Sequence, residues 1–89
     1  MENNSARILV CDDEIDVREM LQEYLGKRGF AVSTAANGNE LRALLSSGGA
    51  DLIILDINMP GEDGLAVLRS LRSDDQTPVV MLTAAGEVV

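Results

Sequence analysis

Acidic side chains follow two short apolar runs of this sequence, and a threonine follows a third. Asp12 and Asp13 come after the first run, and Asp56 closes another. Thr83 follows the last apolar run. Carboxylates that are brought together repel one another unless a cation compensates, and Mg²⁺ prefers oxygen ligands of this kind. A carboxylate beside such an ion can act as a nucleophile toward phosphorus, and a hydroxyl can hydrogen-bond a phosphoryl oxygen.

These groups can act together only if the apolar runs are neighbouring strands. Each run is too short for a buried helix, and most are rich in residues that favour strands. The sequence predicts four strands, at Arg7–Cys11, 30–36, 51–55 and 78–82.

Helical spacing of apolar residues separates the strands. The first helix begins near Asp16 and ends between Gly26 and Gly29. The second is closed by a Ser-Ser-Gly-Gly cluster, and the third follows a loop rich in turn-forming residues. The predicted apolar stripes are Val17, Met20, Leu21, Tyr24 and Leu25, then Leu41, Leu44 and Leu45, then Leu65, Leu68 and Leu71.

Alternation of strands and helices predicts an α/β fold with a parallel sheet covered on both faces. Ligands of such sheets bind beyond the carboxyl ends of the strands, where the strand order reverses. If the strands are neighbours about 4.8 Å apart, then Asp12, Asp13 and Asp56 converge on one small pocket.

Each of these residues also has an ordinary structural interpretation. Asp12 or Asp13 could cap the first helix, and Asp56 could form a turn with its own backbone. Thr83 alone would suit a cap or a turn. The joint arrangement at three strand ends favours the functional interpretation.

Composition narrows the class of protein. The 89 residues suffice for one small domain, and a formal net charge of -8 with only seven Lys and Arg disfavours direct binding to nucleic acid. The single cysteine, Cys11, lies in an apolar run and is predicted to be buried. No run approaches the roughly 18 apolar residues that a membrane helix needs, and nothing resembles a secretion signal, so we expect a cytoplasmic location.

Three segments resemble the receiver family of response regulators in two-component signalling. They are Val10-Cys11-Asp12-Asp13-Glu14, Leu55-Asp56-Ile57-Asn58-Met59-Pro60-Gly61-Glu62-Asp63-Gly64, and Pro78-Val79-Val80-Met81-Leu82-Thr83-Ala84. The resemblance extends over nearly the whole chain and implies a flavodoxin-like, doubly wound sheet with strand order 2-1-3-4.

The resemblance also implies a role for each matching residue. Asp56 would be the phosphoacceptor, and Asp13 would bind Mg²⁺ directly. Asp12 would bind the ion mainly through water, and Asn58 through its backbone carbonyl. Thr83 would be the switch hydroxyl, with the small neighbour Ala84 leaving it access. A sensor histidine kinase would be the partner.

The sequence departs from the family pattern at its end. Receivers usually continue through a further helix, strand and helix, and the fifth strand ends in a lysine that pairs with the phosphoryl group. Residues 1–89 therefore correspond to an incomplete receiver domain. The only lysine, Lys27, is expected roughly 20 Å from the acidic pocket, at the far end of the first helix. An apolar fourth strand at the sheet edge would favour a homo-oligomer or a domain swap.

Three functions remain as alternatives. The first is a non-enzymatic phosphoacceptor switch, resembling receivers fused to winged-helix DNA-binding domains; without histidine, the chain cannot supply its own phosphohistidine. The second is a non-switching fragment that serves only as a metal-binding or assembly unit. The third is a Mg²⁺-dependent phosphatase resembling the dehalogenase superfamily, which places an Asp where this chain has Asn58.

Overall fold

The computed structural model describes residues 5–73 and 75–82, which form three helices and one sheet. Short apolar runs form the strands, and the segments with helical periodicity lie between them. The elements in chain order are β1 (Arg7–Cys11), α1 (Ile15–Lys27), β2 (Ala31–Ala35), α2 (Gly38–Gly48), β3 (Leu52–Asp56), α3 (Gly64–Leu71) and β4 (Val79–Leu82).

All four strands are parallel and lie in the order β2-β1-β3-β4. This confirms the predicted fold class and strand order. Arg7 pairs with Ala31 at the start of β1, and Cys11 pairs with Leu55 at its end. The chain passes from β1 to one neighbour and later returns to the other side, so the strand order reverses between β1 and β3.

One face of the sheet forms the main core together with α2 and α3. Strand residues on this face alternate with residues on the opposite face, because successive side chains of a strand point in opposite directions. The buried cluster contains Leu9, Cys11, Ala35, Leu41, Ile53, Leu55, Met59, Val67, Leu71 and Met81. Cys11 is 1% exposed, in agreement with its prediction as a small buried residue.

The opposite face is covered less completely. Ile8 and Val10 of β1 are buried there, whereas Ile54 of β3 and Val80 and Leu82 of β4 are only half-buried. Helix α1 packs against β2 and β1. The half of this face formed by β3 and β4 therefore keeps apolar surface exposed, and β4 lies at an edge of the sheet.

Two of the predicted apolar stripes are corrected by the structure. Every residue of α1, all of which are described, keeps some exposure, and Met20 and Tyr24 are more than half exposed. In α3 the buried residues are Gly64, Val67 and Leu71, while Leu65 is 46% exposed. A strict three-residue spacing drifts around a helix of 3.6 residues per turn, so Leu65 leaves the buried face that Leu71 occupies.

Side chains cap the N-termini of α2 and α3. Asn37 Oδ1 accepts the N–H of Glu40 at 2.9 Å and caps α2, and Asp63 Oδ1 accepts the N–H of Ala66 at 2.8 Å and caps α3. Each cap satisfies a backbone donor that the helix leaves without a partner. The helices of the described residues are all too short or too polar to cross a lipid bilayer.

Candidate functional site

The end of β1 holds Asp12 in a fixed position. Its side chain is 5% exposed, and its Oδ1 accepts the N–H of Glu14 at 2.9 Å. The N–H of Asp12 donates to Ala35 O at 3.0 Å, and Arg18 Nη1 donates to Asp12 O at 2.8 Å. Asp12 is therefore anchored through its side chain and both of its backbone groups.

Neither Asp12 nor Asp13 caps α1. The N-cap residue is Glu14, and no side-chain cap bond forms there. Asp12 instead uses its carboxylate to hold the loop before the helix, and Asp13 is exposed beside it. The capping interpretation of these acids is wrong, because the helix begins one residue after Glu14 rather than directly after the acidic pair.

The end of β3 positions Asp56. Its Oδ1 accepts the N–H of Asn58 at 3.1 Å, which is the local turn that the sequence allowed. The next residue, Ile57, donates its N–H to Leu82 O at 2.9 Å and so continues the pairing with β4. The turn directs one carboxylate oxygen of Asp56 into the loop, and among the described residues the other oxygen accepts no backbone N–H.

The three carboxylates meet at the point where the strand order reverses. One oxygen each from Asp12, Asp13 and Asp56 lies within 4.8 Å of the others. Because Cys11 pairs with Leu55, the residues that follow these two lie side by side at the carboxyl ends of β1 and β3. The convergence that was predicted from parallel strand ends is therefore present in the structure.

Burial and repulsion by neighbouring acids disfavour ionisation of Asp12 and Asp56. Burial raises the pKa of Asp12, and the charges of Asp13 and Glu14 raise it further, against the Glu14 N–H bond. Burial likewise raises the pKa of Asp56, and Asp12 and Asp13 add to the shift. Beneath them, burial and the nearby acids raise the pKa of the Cys11 thiol to about 12, so this thiol stays protonated. A cation at the cluster would relieve the repulsion.

The loop after Asp56 returns sharply to the sheet. Met59 is buried in the core, with its sulfur 3.9 Å from Cys11 Sγ, and Gly64 donates its N–H to Ile57 O at 2.9 Å. A methyl group on Gly64 would collide with the carbonyl oxygen of Asp56 and would lie 2.8 Å from Ile57 Cα. Gly64 is therefore required for close approach of two backbone segments, a role that the sequence pattern did not predict.

The remaining residues that the sequence analysis singled out lie at the edge of the carboxylate cluster, away from it, or outside the described residues. Asn58 is exposed and adjoins the cluster through its backbone. Thr83 and Ala84, the predicted switch residues, lie outside the described residues. Lys27 is the last residue of α1, where it pairs with Glu23 at 3.3 Å. No sequence pattern indicated a role for Arg18, whose contact to Asp12 O depends on the path of the intervening loop.

The raised pKa values predict how stability changes with pH when a chelator keeps metal away. A carboxyl group whose pKa is raised on folding stabilises the protein fully below its ordinary value of 3.8, and this stabilisation is lost as the pH rises through the raised value. We expect Asp12→Asn to increase the free energy of unfolding at pH 7 by on the order of 1 kcal/mol, since the amide keeps the Glu14 bond and removes the charge. The gain should shrink as the pH approaches 4.

Urea unfolding at pH 7 and at pH 4 measures this effect. Asp16→Asn, which removes an exposed charge from the first turn of α1, is the matched control and should cost a few tenths of a kcal/mol at about pH 7 by weakening the helix dipole interaction. A lower stability of Asp12→Asn than of the native chain at pH 7 would contradict the electrostatic account.

A parallel α/β sheet with three acids where its strand order reverses has the architecture in which ligands bind beyond the carboxyl ends of the strands. Residues 8–89 match the response regulator receiver domain family. The chain belongs to this family, whose members are signalling modules.

Curated relatives and solved structures agree with this assignment. The chain is 44% identical over 86 residues to the transcriptional regulatory protein ResD of Bacillus subtilis, covering 97% of this chain and 36% of that protein. It is 42% identical over 88 residues to the probable transcriptional regulator ycf27 of Cyanophora paradoxa, with coverage of 99% and 37%. The chain thus spans little more than a third of the length of these relatives.

Among solved structures, chemotaxis protein CheY4 of Vibrio cholerae superposes with a TM-score of 0.84 at 37% identity, over 88% of this chain and 68% of that chain. Response regulator TrrA of Thermotoga maritima, solved in complex with Mg(2+)-BeF, superposes with a TM-score of 0.81 at 45% identity, over 89% and 70%. The predicted family and its fold are confirmed.

Proposed function

We propose that this chain is the phosphoacceptor receiver module of a two-component phosphorelay, in which Asp56 receives a phosphoryl group from a sensor histidine kinase. The observation that carries the proposal is the meeting of Asp12, Asp13 and Asp56 within 4.8 Å at the switch point of the sheet. Membership of the receiver family supports the signalling role, and the exchange is proposed to occur in the cytoplasm.

The donor set fits Mg²⁺. It consists of hard carboxylate oxygens, which suit this ion, and the pKa values of Asp12 and Asp56 are raised in a way that a divalent charge would reverse. We assign Asp13 and Asp56 as direct ligands, Asp12 as a ligand through water, and Asn58 as a ligand through its backbone carbonyl. The bound ion would neutralise negative charge on the transferring oxygens. Crystallisation of the related TrrA with Mg(2+)-BeF supports this choice.

The transfer step uses Asp56 as the nucleophile. One carboxylate oxygen accepts the Asn58 N–H, which orients the group and leaves the second oxygen to attack phosphorus. A new P–O bond forms as the P–N bond of the phosphohistidine breaks, and the imidazole leaves with the electron pair of that bond. The product is an acyl phosphate on Asp56. In the proposed switch, the Thr83 hydroxyl then turns toward the phosphoryl group beside the small Ala84.

The output of the switch is proposed to be regulation of transcription. Two curated relatives are transcriptional regulators, and this chain covers 36% and 37% of their lengths. A DNA-binding region would then belong to a part of the parent protein outside these 89 residues. The acidic balance of the chain, with its net charge of -8, agrees with this division, because phosphate binding requires clustered basic residues.

The proposal is tested by incubating the chain with a small-molecule phosphodonor, with and without Mg²⁺, and recording the intact mass promptly. Gain of a single phosphoryl group only with Mg²⁺, on the peptide that contains Asp56, is the expected result. Failure to gain it, together with measurable Mg²⁺ binding, would instead support the alternative of a metal-binding or assembly unit that no longer switches.

The uncovered apolar surface supports a further proposal, that the chain self-associates. Ile54, Val80 and Leu82 are half-buried on the sheet face beside α1, and β4 is an edge strand. Apolar edges of this kind pair with other chains. We expect light scattering to show a dimer or a domain-swapped species at high micromolar concentration, and Val80→Asp to shift it toward monomer. A stable monomer across that range would contradict self-association.

A further inference from the structure

Arg42 joins three parts of the molecule on the side that carries the main core. Arg42 belongs to α2. Its guanidinium donates to both carboxylate oxygens of Glu62, at 2.8 Å from Nη2 and 3.3 Å from Nη1. It also donates to Ser70 Oγ of α3 at 2.8 Å and to Asn39 Oδ1 of its own helix at 3.0 Å. One side chain therefore holds α2, α3 and the loop between β3 and α3.

The pair of Arg42 and Glu62 differs from an ordinary surface ion pair. Its two side chains are 34% and 38% exposed, whereas Lys27 and Glu23 of α1 are 75% and 70% exposed. A two-pronged contact between arginine and carboxylate is geometrically specific, because both groups are planar. The hydrogen bond that the guanidinium donates to Glu62 raises the pKa of Arg42, so the guanidinium keeps its charge.

The backbone at the start of α2 leaves space for Glu62. A methyl group on Gly38 would lie 2.6 Å from Glu62 Oε1 and 2.9 Å from Val67 Cγ2. The Glu62 carboxylate is thus seated against the N-terminal turn of α2, where the positive end of the helix dipole favours a negative charge. Glu62 is therefore held both by Arg42 and by its seat on this helix.

Glu62 is the second anchor of the loop that begins at the acidic cluster. The first anchor is Met59, which is buried beside Cys11. Between them, Gly61 adopts a positive φ of 83°, which lets the chain turn. Asn58 lies immediately before Met59 and bonds through its N–H to Asp56. The path of the anchored loop consequently fixes the Asn58 peptide relative to the carboxylates.

We propose that Arg42 is a positioning residue for the metal site, which acts by holding Glu62 and so fixing the loop that presents the Asn58 carbonyl beside Asp56. This inference rests on the proposed binding of Mg²⁺. The simpler possibility is that Arg42 only joins α2 to α3 and to the loop before α3. That role would lower the stability of the fold without changing the affinity of the site for the ion.

The test compares Mg²⁺ affinity, measured by isothermal titration calorimetry, with unfolding by urea in a chelator. We expect Arg42→Ala to weaken Mg²⁺ binding roughly tenfold, the lower end of the effect that groups orienting metal ligands have. Glu62→Ala should weaken it equally, and the double variant no further, because both substitutions release the same loop. Arg69→Ala removes the same charge from an exposed position on α3 and should leave the affinity within about twofold.

Arg42→Lys keeps the test decisive if Arg42→Ala does not fold. It keeps the charge and the aliphatic stem but lacks the planar fork, so it should give an intermediate loss of affinity. Unchanged affinity in Arg42→Lys and in folded Arg42→Ala, whether or not stability falls, would overturn the positioning role. Failure of the native chain itself to bind Mg²⁺ would overturn the proposed metal site first, and the inference with it.

Discussion

Asp56→Asn is expected to abolish the Mg²⁺-dependent gain of a phosphoryl group, lowering its rate by more than about a thousandfold, as removal of a nucleophile does. The amide has nearly the same shape, and its oxygen can still accept the Asn58 N–H at the observed 3.1 Å. It lacks the negative charge and the nucleophilic oxygen. Intact mass after exposure to phosphodonor and Mg²⁺ measures the outcome.

Asp51→Asn is the matched control for this experiment. Asp51 directly precedes β3, at the opposite end of the strand from Asp56, and accepts the Arg7 N–H at 2.8 Å, a bond that an amide oxygen can also accept. The control should therefore be phosphorylated like the native chain. A phosphoryl group retained by Asp56→Asn would move the phosphoacceptor to another carboxylate of the cluster and would overturn the assignment.

Gly64→Ala is expected to lower the free energy of unfolding by about 3 kcal/mol or more, a loss typical of strain forced on a packed backbone. The added methyl group would meet the Asp56 carbonyl, and Asp56 C would lie 2.9 Å away. The neighbours are backbone atoms of β3 and the loop after it, so they cannot move aside as a side chain would. Relief would require α3 to separate from the end of β3, which would also displace Asp56.

Gly26→Ala controls for the chemistry of the substitution. Gly26 lies within α1, and a methyl group there would meet no atom within 4 Å. Since alanine favours helix, this variant should be neutral or more stable by up to about 1 kcal/mol. Urea unfolding of both variants in a chelator decides the matter, and equal stabilities would show that the close approach at Gly64 imposes no constraint.

Local patterning was sufficient to predict the regular elements. The run Arg7–Cys11 forms β1 with the predicted bounds, and β2 is one residue shorter at each end than the predicted 30–36. Burial of α1 and α3 was less predictable. Tyr24 and Leu65 stand at helical spacing from other apolar residues, yet both are exposed. The reason is that burial of a helix residue depends on which elements pack against that helix.

The candidate site was likewise predictable from the sequence only in part. Asp12, Asp13 and Asp56 were expected to converge because the carboxyl ends of parallel strands meet at one edge of the sheet, and a strand order of 2-1-3-4 follows from the family resemblance. The interpretation of Asp12 or Asp13 as a helix cap was wrong, since Glu14 occupies that position. Which residue begins a helix depends on the path of a short loop, and several paths are compatible with the same residues.

The sequence by itself determined the alternation of strands and helices and the placing of acids at strand ends, because apolar periodicity and strand direction act over a few neighbouring residues. Only the tertiary structure decided that Arg42 reaches Glu62, twenty positions further along, and that Gly64 packs against the Asp56 carbonyl. These contacts join segments whose approach is set by the packing of α2 and α3 on the sheet. No local pattern specifies how closely these segments approach one another. The packing of α2 and α3 on the sheet therefore sets the path of the loop beside the carboxylates.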